Sequence, residues 1–357
     1  MSALDAVAGR FPVAAELGAL LRETAGAAAE LITVADRAGG PSAPYVPPVP
    51  SAPKAAAPAP TTWRTVLRVS TDTMPYLRDH CFFRQRPGWP DESDRWPVVP
   101  ATTIVGHLMD AAERTAPGRR AVAVHGARFG RWVTAAPPAE VPITVTPSPD
   151  GPDRLAVDFG RSAQGTVELA PRFPNPRPAP GPPTRPPRRP RHTAAELYSR
   201  RWMFHGPAFQ GVSEITAIGA ARVRGTITTP AAPGALLDNV GQLLGYWLMA
   251  TRTERTVVFP VGMRHIRLFG PHPLPGTTVE CVIRVGSLTD TTLEANVQLL
   301  IDGQVWAQID GWQDRRFDNH PSTRPVERFP ELNALSQPQP GGWHCCTSAG
   351  PIWRRAT

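Results

Sequence analysis

A helix-like run followed by several strand-like runs occurs twice along this chain, and that repeat constrains the fold more than any other feature. Ala101 to Thr115 carries Ile104, Leu108, Ala111 and Ala112 at a spacing that puts them on one side of a helix. Strand-like runs follow at 120–134, 140–146, 153–159 and 164–170, punctuated by Pro-Pro and Pro-Asp-Gly turns. A second helix is expected from about Ala235 to Thr251, again followed by strand-like runs, at 256–269, 277–286, 291–301 and 304–317. Leu236, Leu237, Val240, Leu243, Leu244 and Trp247 leave that helix little polar face, so it must be covered on several sides. The simplest α+β packing is an antiparallel sheet wrapped around a buried helix in each half.

Proline marks where the halves end. The 44 prolines of the 357 residues cluster rather than spread, and the clusters read as linkers between ordered blocks. The expected organisation is an N-terminal helical segment over 1–40 (Glu16 to Ala35 can form one helix) and a Pro/Ala-rich tether over 41–62. A first folded half spans 63–172 and opens with a strand from Trp63 to Val69; an Arg/Pro-rich linker spans 173–192, a second half 193–318, and an irregular tail 319–357. A tether of this kind suits a piece of a multidomain chain.

Where the charge lies decides what it means. Of the formal net charge of +8, six charges belong to Arg172, Arg177, Arg185, Arg188, Arg189 and Arg191, in a proline-rich stretch with no acid. No folded basic face with interleaved aromatics is left to track a phosphate backbone, which argues against a nucleic-acid partner. The four cysteines lack zinc spacing and form no disulfide framework. No signal pattern or membrane-length apolar run is present, so a cytoplasmic protein without a membrane partner is expected.

Two residues invite a chemical reading. Asp238 sits near the start of the second helix, flanked by leucines, with Gln242 on the same face. It can offset the helix dipole; equally, a carboxyl desolvated by leucines has a raised pKa and can serve as a general acid. His80 precedes the first helix, and alone it carries no assignment. The other histidines lack metal-ligand spacing, and no metal site is expected.

Three segments then occur in order: Met203-Phe204-His205-Gly206-Pro207-Ala208-Phe209-Gln210-Gly211, Leu236-Leu237-Asp238-Asn239-Val240-Gly241-Gln242, and Phe259-Pro260 running to Leu268. Together they resemble the second half of a polyketide synthase dehydratase. Upstream, Asp79-His80 and then Val98-Val99-Pro100-Ala101 before a helix resemble its first half; the similarity covers about residues 63–318. The Phe-His-Gly-Pro version is closer to dehydratases of polyunsaturated-fatty-acid and iterative synthases. The chain departs from the family pattern at Arg84 and Ala101, where glycines are usual, and at His205, where many members have tyrosine. An inserted loop around Arg86-Pro87-Gly88-Trp89-Pro90-Asp91 lengthens the gap between His80 and Pro100 and is expected near the tunnel mouth.

The resemblance implies a double hotdog, two helix-in-sheet units sharing one active-site tunnel. It implies removal of water from a 3-hydroxyacyl thioester, with His80 as base and Asp238 as acid. The backbone N–H of Ala101 would receive charge on the thioester oxygen, His205 and Gln242 would orient Asp238 or the leaving hydroxyl, and Phe209, Leu237 and Val240 would line the tunnel. No metal or cofactor is implied: the substrate rides on the phosphopantetheine of an acyl carrier protein, and the partners are that carrier and other synthase domains. A homodimer is compatible with this reading. Two alternatives remain, an isomerase or cyclase using the same dyad, and an inactive scaffold or carrier-docking hotdog.

Overall fold

A computed structural model of the chain describes residues 62–176 and 188–317, apart from 84, 86 and 87, together with two short strands near the C-terminus. The first half consists of β1 (Trp63–Val69), α1 (Ala101–Thr115), β2 (Arg120–Phe129), β3 (Ala139–Pro147), β4 (Arg154–Phe159) and β5 (Ala163–Ala170). The second consists of α2 (Ala194–Ser199), β6 (Val212–Gly219), β7 (Arg222–Thr228), α3 (Ala235–Thr251), β8 (Val257–Leu268), β9 (Thr278–Leu288), β10 (Thr292–Ile301) and β11 (Gln304–Phe317). Each half is an antiparallel sheet curled around its helix, as the repeated pattern predicts. The halves also fuse edge to edge: the strands form one eleven-stranded sheet in the order β1-β3-β4-β5-β2-β8-β11-β10-β9-β7-β6. The seam is the antiparallel β2–β8 pair, in which Val124 faces Ile266 and His125 faces His265. Joining these edges removes two exposed ladders of unpaired N–H and C=O groups.

The helices differ as their sequences require. Ile104, Leu108, Ala111 and Ala112 of α1 are buried, whereas Asp110 and Arg114 are not. From Leu236 to Leu248, α3 buries ten residues that include Tyr246 and Trp247. Each large apolar side chain withdrawn from water in this way contributes ~1.5–3 kcal/mol.

The two helix starts meet. Thr103 Oγ1 donates to the Pro233 carbonyl at 2.8 Å, and Gly234, with φ of +77°, precedes α3 so closely that a Cβ there would lie 2.5 Å from the Thr103 nitrogen. Only glycine satisfies both the left-handed backbone and the contact. Both positive helix ends therefore point at one region.

Several expectations are refined. The strand run expected over 120–134 stops at Phe129, and β6 and β7 were not anticipated. Their pairing has register shifts between Val212 and Glu214 and between Ile215 and Ala217, and these bulges on β6 break the alternation that identifies a strand, whereas β7 keeps it. The Arg/Pro linker is exposed at 174–176, but its end is not free of contacts: Arg188 exchanges both backbone hydrogen bonds with Ile218, covering part of the β6 edge. The tail is not wholly irregular, since Trp343–Cys346 pairs antiparallel with Ile352–Arg355. The expected N-terminal helix and the 41–60 tether lie outside the described residues, as does most of the tail. Cys81 and Cys281 are free and buried.

Candidate active site

His80 ends a single 3-10 turn over Pro75–Asp79. Its Nδ1 lies 2.9 Å from the Val98 carbonyl. A carbonyl can only accept, so Nδ1 carries the proton and Nε2 is left with a bare lone pair. Phe82, Phe204, Phe209 and His205 surround the ring with centroids 5.1–6.4 Å away. Burial in that setting lowers the His80 pKa to about 4, although Asp238 pulls the other way. The imidazole is thus neutral at physiological pH.

Asp79, beside it, fixes the opposite wall. Its carbonyl accepts from Gly206 N–H at 2.7 Å, and its carboxylate accepts from Ala208 N–H at 2.9 Å. A Cβ on Gly206 would fall 2.4 Å from the Asp79 carboxylate, so this approach requires glycine. One dipeptide of the first half thereby sets both His80 and the second-half segment that carries His205.

Asp238 lies in the first turn of α3, and its Oδ1 stands 3.8 Å from His80 Nε2. Its Oδ2 is 3.1 Å from His205 Nε2 and accepts from Gln242 Nε2 at 2.9 Å. The Gln242 amide is held the right way round because the Tyr198 hydroxyl donates to its Oε1 at 2.9 Å, while Nε2 also reaches the Phe209 carbonyl. Burial pushes the Asp238 carboxyl up. The neighbouring His205, the hydrogen bonds it and Gln242 make, and His80 outweigh burial and hold the carboxyl below its ordinary value. The expected leucine-lined, resting-state proton donor is corrected accordingly: the carboxylate is ionised at rest because its neighbours are donors, not hydrocarbon.

A cavity of about 260 Å³ joins His80, Asp238, His205, Gln242 and Ala101. Ala101 is the first residue of α1 and follows Pro100, which has no N–H and makes no side-chain cap. The N–H groups of this first turn lack partners within the helix and are available to an anion. Trp132 and Val261, also lining the cavity, are 46% and 38% exposed and mark where it opens. Trp96, five residues beyond the inserted loop, packs on Phe82, which lines the cavity; the described residues of the loop itself do not line it.

The three residues expected to line the tunnel do not, and Phe209 is the first of them. It is fully buried behind His80, with ring centroids 5.1 Å apart, and does not line the cavity. Leu237 and Val240 do not line it either; the α3 positions that do are Asp238, Gly241, Gln242, Gly245 and Met249. Those residues recur every three to four positions and share a face, from which 237 and 240 point away. Three contributors escaped the sequence reading. Tyr198 orients Gln242; Asn239 accepts from the N–H groups of Gly211 and Val212; Thr102 presents a buried hydroxyl on the cavity wall that has no partner among the described residues. The ligand atoms of His80, His205 and Asp238 lie within 4.8 Å of one another, a spacing a divalent cation could bridge. Sequence spacing could not reveal this cluster, because its members come from three separate segments.

Residues 173–324 match the family described as the polyketide synthase dehydratase N-terminal domain. Among solved structures, the dehydratase domain of PpsC from Mycobacterium tuberculosis in complex with C12:1-CoA superposes with a TM-score of 0.55 at 19% identity, covering 73% of this chain and 96% of that one. The dehydratase domain from the CurF module of curacin polyketide synthase gives 0.56 at 15% identity, over 73% and 96%. An isomerase-inactive variant of GphF DH1 gives 0.53 at 18%, over 74% and 96%. No curated protein sequence matches the chain. The fold is thus the double hotdog of these dehydratase domains. The span matched by that family includes the motifs at His205 and Asp238. Among the described residues no helix is long and apolar enough to cross a membrane.

Proposed function

We propose that this chain removes water from a 3-hydroxyacyl thioester carried on the phosphopantetheine of an acyl carrier protein, giving a 2-enoyl thioester. The observation that carries the reading is the placement of a neutral imidazole and a carboxylate, one from each half, 3.8 Å apart in one cavity beside an open helix start.

The bare Nε2 of His80 takes the C2 proton. Charge gathering on the thioester oxygen is met by the Ala101 N–H and the α1 dipole; only the main chain is used, so alanine serves where the family usually has glycine. The Asp238 carboxylate, held by His205 and Gln242, accepts a hydrogen bond from the 3-hydroxyl. His80 then passes its proton to Asp238, and Asp238 delivers it to the departing oxygen. The C3–O bond breaks, water leaves, and the site returns to neutral His80 and ionised Asp238. Asp238 acts as the acid, but with a proton collected during the reaction. No metal or cofactor enters these steps. Arg131 and Arg315, exposed where the cavity opens, suit the phosphate of the pantetheine arm and an acidic carrier surface.

A synthetic 3-hydroxyacyl-pantetheine incubated with the full chain tests the reading. The expected outcome is loss of one water per turnover and a 2-enoyl product; recovery of unchanged substrate would refute it. The likeness to a GphF DH1 variant described as isomerase-inactive keeps a second reading in view, migration of a double bond by the same dyad. The position of the double bond in the product, read by NMR, separates the two.

A further inference from the structure

We infer that Asp314 is a second polar contact for the substrate, receiving a hydroxyl group that the acyl chain carries several carbons beyond the reacting centre. The inference rests on the reading of the cavity as an acyl-chain site.

Asp314 lines the same cavity as His80 and Asp238, yet the dehydration steps make no use of it. It is 2% exposed. Its Oδ1 accepts from the Trp312 indole N–H at 2.7 Å, and its Oδ2 receives no hydrogen bond from any described residue. Arg316, the next inward-facing residue of β11, does not neutralise it: that guanidinium donates to the carbonyls of Glu254, Arg255 and Thr289. Anchoring Trp312 uses one carboxyl oxygen only, which leaves the other for a group that enters the cavity.

Its place along the cavity follows from the helix. Trp312 lies against α3 at Gly241, 3.3 Å from where a Cβ would stand. Val258, which pairs with Arg316, lies 3.9 Å from the corresponding point on Gly245. Asp314 comes between these two levels, on the order of 8 Å along the helix axis from Asp238 at ~1.5 Å per residue. Met249 and Val258 supply apolar wall there, with the Thr256 hydroxyl beside them, so the carboxyl is the charged group in a largely apolar stretch.

Burial pushes the Asp314 carboxyl up to about 7, with the Trp312 hydrogen bond pulling it down. Both protonation states are therefore accessible near neutrality. A hydroxyl can donate to the carboxylate or accept from the acid, whereas a ketone can only accept and an alkyl chain can do neither. A chain that has already been extended and reduced without losing water carries such a hydroxyl.

The test uses saturated acyl-pantetheine thioesters without a 3-hydroxyl, which the proposed reaction cannot consume. They form a series in which a single distal hydroxyl moves along the chain, each beside its deoxy twin. Binding is measured calorimetrically to the unaltered full chain and to Asp314→Leu. At least one hydroxylated member should bind the unaltered chain about tenfold or more tighter than its twin, and that preference should shrink to about twofold in the variant, since a site built to pair a hydroxyl discriminates strongly. The deoxy twin should bind Asp314→Leu as well as before or better. No preference anywhere in the series, or a preference that survives in the variant, overturns the inference. So does an equal loss for both twins, which would put the carboxyl against the shared pantetheine arm or in packing alone. Should the unpaired indole unfold the single variant, Trp312→Phe/Asp314→Leu removes both ends of the hydrogen bond and decides the same question. Turnover of a 3-hydroxyacyl substrate by the unaltered chain judges the dehydration reading separately.

Discussion

The first half supplies the cavity with a histidine from a turn well upstream of its helix and with the bare main chain at the start of α1. The second supplies side chains projecting from α3 itself, with a segment over 203–211 folded against them. The reason lies in how each helix is covered. α1 is amphipathic and commits most of its side chains to its sheet, leaving its first turn, with its N–H groups and the Thr102 hydroxyl, toward the cavity. α3 is buried on nearly every side, so a polar residue on it survives only with dedicated partners: Gln242 and His205 for Asp238, the 209–212 backbone and Ala235 for Asn239. A repeated architecture thus yields an asymmetric site, main chain and loop from one side, rigid helix side chains from the other.

The largest effects should come from breaking the pair that bridges the halves. His80→Ala and Asp238→Asn should each cost at least ~10²-fold in turnover, and the double variant should be little worse than either, because groups acting as a unit are not additive. Melting temperature measured on the same Asp238→Asn sample distinguishes catalysis from mere helix-dipole compensation, which would give ~1 kcal/mol of lost stability with normal turnover.

The first half's loop histidine should also leave a pH signature. His80 titrates near its ordinary value in the unfolded chain but at about 4 when folded. Its contribution is complete above pH ~6.5 and is lost as the pH falls toward 4, because the unfolded chain takes up a proton that the folded one refuses; the difference is about 3 kcal/mol. Denaturant titrations across that window should show a shallower decline for His80→Phe. An identical decline would mean that His80 is not buried neutral.

The main-chain contribution can be isolated at Ala101. Proline is well tolerated at the first position of a helix, so Ala101→Pro should fold normally while losing the N–H assigned to the thioester oxygen. Turnover should fall by about 10²-fold, and Ala101→Gly should be nearly unaffected. Full activity in the proline variant would move the oxyanion contact elsewhere.

Much of this contrast was legible in the sequence, and the rest was hidden for identifiable reasons. The two helices and eight of the strands that follow them could be read because their apolar residues keep helical or alternating spacing. The strands β6 and β7 could not: bulges on β6 erase its alternation, and β7 alternates but with a glycine, Gly225, at one of its three inward positions. His80 and Asp238 required family resemblance in addition, because nothing local distinguishes a catalytic histidine. The resting charge of Asp238 was misread: the leucines at 236 and 237 are visible in sequence, but the approach of His205 depends on folding. Phe209 looked like a wall because it sits in a motif, whereas its carbonyl, holding Gln242 and Asn239, is what meets the helix.

Asn239 gives the last and smallest expected effect, and it tests whether the second half owes its rigidity to that network. The side chain is fully buried. Its Nδ2 donates to the Phe209 and Ala235 carbonyls, and its Oδ1 accepts from the N–H groups of Gly211 and Val212. Asn239→Leu keeps the volume but leaves the Gly211 N–H without its acceptor; the Val212 N–H retains the Tyr198 hydroxyl as a partner at 3.0 Å. The loss should be about 2 kcal/mol, since one orphaned buried donor costs ~1–3 kcal/mol. Because the 203–211 segment also carries His205, turnover should drop more than stability alone explains at temperatures where the protein remains folded. Amide exchange localises the effect: Gly211 and Val212 should lose protection while β2 to β5 of the first half keep theirs. A uniform loss across both halves would show that the fused sheet shares its stability, and that the division of labour at the cavity does not extend to folding.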